Sequence, residues 1–156
     1  MGADEGAPDY TDSYRVRRPG AAERSPEEWM RAALERAPWP LRTFIRVGWR
    51  AVLGFQLGPS GSVLHVLGWP IVGSGPEEVV LHQRSALIDA RLRLRVSDDE
   101  IEWATWVRYE HTAARIVWAG VGPIHRRIVP YVLRRAVAQA PPVGPGRPGT
   151  EPRRSR

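Results

Sequence analysis

From Val79 onward the chain alternates. Val79, Leu81 and Gln83 interleave with Val80, His82 and Arg84, and Ile88, Ala90, Leu92, Leu94 and Val96 interleave with Asp89, Arg91, Arg93 and Arg95. Ile101, Trp103, Thr105, Val107 and Tyr109 then alternate with Glu102, Ala104, Trp106, Arg108 and Glu110. A period of two is that of a strand with one buried face, so these segments predict antiparallel strands. Ser97-Asp98-Asp99-Glu100 is the turn between the last two, and its three acids are read as a solvated hairpin tip rather than a catalytic or metal-binding cluster. Pairing Val96 with Ile101 sets Arg95 opposite Glu102, Arg91 opposite Trp106 and Asp89 opposite Arg108 on the outer face. It sets Leu94 against Trp103, Leu92 against Thr105 and Ile88 against Tyr109 on the inner one. Each outer pair is favourable by charge or cation–π contact, which supports the register.

Elsewhere the period is helical. Ser25-Pro26-Glu27-Glu28 combines an N-cap serine, proline at the first helical position and acids in the first turn, predicting a helix to about Arg36 with Trp29, Ala33 and Leu34 inward. Pro38 and Pro40 end it. Leu41, Ile45, Trp49 and Val52 then mark a second helix from Leu41 to Leu53, flanked by a basic stripe of Arg42, Arg46 and Arg50 and stopped by Gly54. After Thr112, Val117, Val121, Ile124, Ile128 and Val132 step by three or four, predicting a long helix to about Ala138 bent at Pro123 and Pro130. A strand over Ala113–Trp118 followed by a shorter helix is the competing reading.

Three stretches are less patterned. Ser13–Arg18 reads as a short strand stopped by Pro19-Gly20, and the small, acidic residues 1–12 before it read as a disordered N-terminus. The glycine-rich residues 54–76 suggest a loop with one strand near Trp69–Val72. Residues 141–156, rich in proline, glycine and arginine, read as a disordered basic tail. A single domain over residues 13–140 is therefore expected.

Charge changes this picture little. The net charge is +6, yet every basic residue is arginine, with no lysine and no asparagine. Arginine, alanine, glycine and proline, all with GC-rich codons, fill nearly half of the chain, so the basicity reads as a genome signature, half of it carried by the tail. The arginine stripes at 42, 46, 50 and 91, 93, 95 have the chemistry to track phosphates, but Arg91 and Arg95 have proposed partners and nucleic-acid binding is not expected. The absence of cysteine excludes disulfides, thiolate metal sites and cysteine nucleophiles, and fits a reducing, cytoplasmic setting. The acidic start lacks the apolar run of a secretory signal, and the uncharged stretch Ala51–Pro76 is interrupted by glycines and prolines, so no membrane span is expected.

Recognisable catalytic motifs are missing: the chain contains no G-x-G-x-x-G, Walker, H-E-x-x-H or G-x-S-x-G pattern. His65, His82, His111 and His125 show no metal-ligand spacing, so neither metal nor cofactor is expected.

The order of strand, two helices, antiparallel strands and long C-terminal helix is an α+β arrangement. It resembles the START-like helix-grip superfamily, also called the polyketide cyclase/dehydrase or SRPBCC group, and within it a mainly actinobacterial family of unknown function. The resemblance rests on Pro26-Glu27-Glu28-Trp29-Met30-Arg31-Ala32, on Asp89-Ala90-Arg91, and on Pro123-Ile124-His125-Arg126 followed by Leu133-Arg134-Arg135-Ala136. Where related sequences carry a polar residue just before the Asp-x-Arg strand, this chain has Leu87 and Ile88. The resemblance implies a curved sheet gripped by the C-terminal helix, with a cavity between them for a hydrophobic or aromatic small molecule. Ile88, Leu92, Trp103, Thr105, Tyr109, Val121, Ile124 and Ile128 are then the expected wall, with Thr105 and Tyr109 as polar handles. His125, at the edge of the helical stripe, is either a hydrogen-bonded packing residue or, with Tyr109, a candidate general acid/base. Binding or carriage of a ligand is the leading expectation. A cyclase/dehydrase-type enzyme and a scaffold using the basic surface are the alternatives.

Overall fold

The computed structural model describes residues 6–142; the C-terminal stretch expected to be disordered lies, from residue 143, outside them. Six strands form one antiparallel sheet in the order β1-β6-β5-β4-β3-β2. They are β1 (Tyr10–Arg17), β2 (His65–Val66), β3 (Trp69–Ser74), β4 (Glu78–Arg84), β5 (Ile88–Val96) and β6 (Glu100–Tyr109). Three helices, α1 (Pro26–Leu34), α2 (Trp39–Val47) and α3 (Ala113–Gln139), complete the fold, and α2 continues into a π turn over Gly48–Val52. α1 packs on β4 and β5, and α3 packs on β1, β6 and α1. The molecule is α+β in a helix-grip arrangement, with the long C-terminal helix lying against the sheet.

The β5–β6 register is the expected one, from Ile88 opposite Tyr109 to Val96 opposite Ile101. Its inward residues Ile88, Leu94, Ile101 and Trp103 are at most 1% exposed and form the core with Trp29, Met30, Leu81 and Leu133. Arg91 lies opposite Trp106 and Arg95 opposite Glu102 as expected, but the side-chain contacts of these two pairs differ. Arg93 rather than Arg91 lies over the Trp106 ring, 4.9 Å from its centroid, because a long side chain reaches a diagonal neighbour across the pleat. Glu102 pairs with Arg15 of β1 at 3.3 Å, which leaves Arg95 against Glu78 at 3.8 Å. Asp89 and Arg108 pair as expected, at 3.5 Å.

α1 begins with a full capping box: Ser25 Oγ accepts from the Glu28 N–H at 3.2 Å, and Glu28 Oε2 accepts from the Ser25 N–H at 2.7 Å. The Ser25→Ala substitution is expected to cost about 1 kcal/mol in urea unfolding. An unchanged midpoint would show that the cap contributes nothing.

Three expectations need correction. The first strand starts at Tyr10 rather than Ser13, so residues 10–12 belong to the sheet and not to a disordered end; the pairing of Tyr10 with Val107 and of Asp12 with Thr105 holds them there. The second helix spans Trp39–Val47 instead of Leu41–Leu53, its last turn opening into the π turn at Gly48. The glycine-rich stretch holds a hairpin rather than one strand. Val66 and Trp69 are joined through Leu67 and Gly68, both at positive φ (48° and 92°), and a side chain at Gly68 would meet Leu57 at 2.7 Å. The long C-terminal helix is the expected one: Ala113–Trp118 is helical, not a strand, and α3 runs through Pro123 and Pro130 to Gln139. The Arg18 guanidinium donates to the carbonyls of Val137 at 3.3 Å and Pro141 at 2.5 Å, satisfying groups that a helix end leaves open.

Candidate functional site

A cavity of about 360 Å³ lies between the inner face of the sheet and α3. β5 contributes Ile88, Ala90 and Leu92 to its wall, β6 contributes Trp103, Thr105 and Val107, and α3 contributes Val121, Ile124, His125, Ile128, Val129 and Val132. The π turn and the end of α2 close another side with Phe44, Val47, Trp49 and Val52. Tryptophans aside, Thr105 and His125 are the only polar side chains in the wall among the described residues. Ile124 is 44% exposed, which a core position of α3 would not be. It stands at the opening.

The polar end is built by three elements. Pairing of β1 with β6 sets Asp12 beside Thr105 on the inward face, and α3 carries His125 over both. His125 Nε2 is 3.2 Å from Thr105 Oγ1 and 3.3 Å from Asp12 Oδ2. The Tyr10 hydroxyl donates to the same Asp12 oxygen at 2.5 Å, and the Trp103 indole N–H donates to Thr105 Oγ1 at 3.3 Å. The Tyr10 and Trp118 rings flank the imidazole, with centroids 6.3 and 5.6 Å away. Side chains of Asp12 and His125 are only 12% and 15% exposed, so the pair is shielded on most sides.

Electrostatics favours an ionised Asp12. Burial alone raises a carboxyl pKa, but hydrogen bonds from His125, Tyr10 and Thr105 outweigh it and hold Asp12 below its ordinary 3.8. The Tyr10 phenol is pushed up to about 12 by burial and by its bond to that carboxylate, and it therefore stays a donor. With Nε2–H directed at Asp12, the imidazole keeps Nδ1 as its proton-accepting nitrogen. A carboxylate that fixes the tautomer and orientation of a histidine is the arrangement used by general bases. It is equally a way to satisfy a buried ring.

All of the expected wall residues except Tyr109 line the cavity. Tyr109 is excluded because β6 carries it past the end of the pocket, where its backbone N–H donates to Asp9 at 2.7 Å; its phenol pKa is raised by burial and by the Asp9 charge. It is neither a wall residue nor placed to move a proton in the cavity. Hydrophobic alternation does not mark Tyr10 and Asp12 as site residues, although they extend the period-two pattern of Tyr14 and Val16 backward. The other histidines have local roles. Ser62 Oγ meets His65 Nδ1 at 2.9 Å, Asp89 meets His82 Nε2 at 2.9 Å, and His111 Nδ1 accepts from the Ala113 N–H at 3.1 Å. Among the described residues no three His, Asp or Glu side chains converge on a metal-sized space, and no helix is long and apolar enough to cross a membrane.

Residues 5–132 match the model of a family described as Protein of unknown function (DUF2867). The chain belongs to that family. The matched span runs from the N-terminus of the sheet into α3 and takes in Tyr10, Asp12, Thr105 and His125, so the whole polar cluster lies within the family's extent. No curated protein and no solved structure matches the chain.

Proposed function

We propose that this protein binds or carries a hydrophobic or aromatic small molecule in the cavity between the sheet and α3, acting in the cytoplasm as a member of the START-like superfamily. The supporting observation is an almost wholly apolar cavity of about 360 Å³ with Thr105 and His125 gathered at one side. That volume lies in the range of small-molecule sites, which pair apolar walls with a few placed polar groups. The ligand is accordingly an apolar or aromatic body with one hydroxyl or carbonyl group to set against His125.

Native mass spectrometry of freshly purified protein, with displacement of an environment-sensitive apolar dye, tests this. Dye binding is expected for the natural chain. Leu92→Trp, which fills the cavity from β5, is expected to weaken it at least ~10-fold, the loss of about 1.4 kcal/mol of contact, while the protein stays folded. Failure of the natural chain to take up dye, or equal uptake by folded Leu92→Trp, overturns the reading.

The Asp12–His125 pair favours a second reading, an enzyme of the cyclase/dehydrase type in which Nδ1 of His125 takes a proton from the bound molecule. His125→Ala separates the two. Retained dye binding with lost turnover supports the enzyme, and unfolding assigns His125 to packing.

A further inference from the structure

Between Glu35 and Glu77 the chain has no acidic residue, and it carries Arg36, Arg42, Arg46 and Arg50. The same stretch holds most of the large apolar side chains that the fold leaves exposed, among them Trp39 at 70%, Phe44 at 54%, Val63 at 79% and Leu64 at 68%. The face that α2 and its π turn turn to solvent consists of Trp39, Pro40, Thr43, Phe44, Val47, Arg50, Ala51 and Val52. An ordinary amphipathic helix gives water its charged side; this one gives it apolar side chains bordered by arginine. The loop bearing Val63 and Leu64 is tied to the same region, since Arg46 donates to Ser60 Oγ at 3.2 Å and Arg31 of α1 donates to the Val63 carbonyl at 3.1 Å. Phe44, Val47 and Val52 are exposed and also belong to the cavity wall, so the patch adjoins the cavity.

We propose that α2 and the Val63–Leu64 loop dock on the surface of an anionic lipid bilayer and set the cavity mouth against its apolar layer. Apolar side chains on one helix face enter the boundary between headgroups and acyl chains, while arginines reach lipid phosphates along their aliphatic stems. No acid in the stretch opposes that attraction. A second copy of this chain is the poorer occupant, because a two-fold interface would bring the same arginines against one another and the exposed face of α2 carries no acid. The passage of a ligand between bilayer and cavity rests on the binding function proposed above; the docking itself does not.

Co-sedimentation of the full chain with vesicles of phosphatidylcholine, alone or with one part in four phosphatidylglycerol, tests the docking at low salt. Binding is expected only with the anionic lipid, falling as salt is added. Each of Arg46→Gln and Arg50→Gln is expected to weaken it about fivefold. Combined Trp39→Ser, Val63→Ser and Leu64→Ser, none of them in the cavity wall, is expected to abolish it while leaving dye uptake in vesicle-free solution unchanged. No binding to anionic vesicles, or equal binding by the arginine variants, overturns the proposal. So does a dimer in light scattering that disappears in the triple variant, since the face would then be an interface between copies. Vesicle binding by a chain that takes up no dye keeps the docking and removes only the cavity function.

Discussion

Trp103→Ala is expected to lower the unfolding free energy by about 3–5 kcal/mol, read as a lower midpoint in urea at unchanged slope. The indole is 1% exposed, faces Leu94 of β5 and Tyr14 of β1 across the sheet, and donates to Thr105. Truncation removes the largest side chain of β6's inner face and leaves Thr105 without that donor. Relaxation cannot recover much of the loss, because the space created adjoins the existing cavity rather than side chains able to close over it. A cost below roughly 1.5 kcal/mol would mean the ring is loosely held, since even volume-conserving swaps in packed cores approach that figure. The same substitution enlarges the cavity. A dye too bulky for the natural chain should then bind to the variant, provided it is assayed where the variant remains folded.

The second large effect is expected at Asp12. Asp12→Ala takes the acceptor from the part-buried Tyr10 hydroxyl and leaves part-buried His125 with Thr105 alone, and with ~1–3 kcal/mol for each group left short a total loss of roughly 2–4 kcal/mol at neutral pH is expected. Its pH dependence is diagnostic. Asp12 titrates below its ordinary 3.8 in the folded protein, so its stabilisation is fully present above the unfolded value and is lost as pH falls through the lower folded one. Urea unfolding of the natural chain should therefore weaken on acidification below about pH 4, and Asp12→Asn should flatten that part of the curve. Parallel acid limbs for the two proteins would show that the carboxylate is not held by Tyr10, His125 and Thr105.

Where sequence pattern and structure agree, the information is local. Hairpin β5–β6 follows from two alternating runs and a four-residue turn, which determine which side chains share a face and which meet. The start of α1 follows from four consecutive residues that satisfy their own backbone. β1 shows the opposite case. Its inward residues are Tyr10, Asp12, Tyr14 and Val16, two of them polar at their tips and one charged, because this face serves a polar cluster at the edge of the apolar core. A pattern defined by hydrophobicity fails where a strand is used for something else, and the acidic neighbours then read as a loose end. α2 misled differently. It is apolar on two faces, and periodicity marks both without telling which one meets the protein.

The cavity wall divides the same way. Ile88, Leu92, Trp103 and Thr105 were legible as one face of a sheet, and Val121, Ile124, His125 and Ile128 as one stripe of a helix. Exclusion of Tyr109 depended on where α3 crosses the sheet, and the contribution of Phe44, Val47 and Val52 depended on where α2 comes to rest.

By itself, then, the sequence determined α1, α3 and the strands β4, β5 and β6, with the faces of those strands and the β5–β6 register, because alternation, capping and turn chemistry act over a few residues. Tertiary structure alone decided that the space between sheet and helix stays open, that Asp12 from the first strand meets His125 from the last helix, and that an apolar, arginine-bordered face remains uncovered. The Asp12–His125 contact joins residues more than a hundred positions apart, the cavity and the face depend on how whole elements pack, and no local preference of the chain specifies how closely such elements approach.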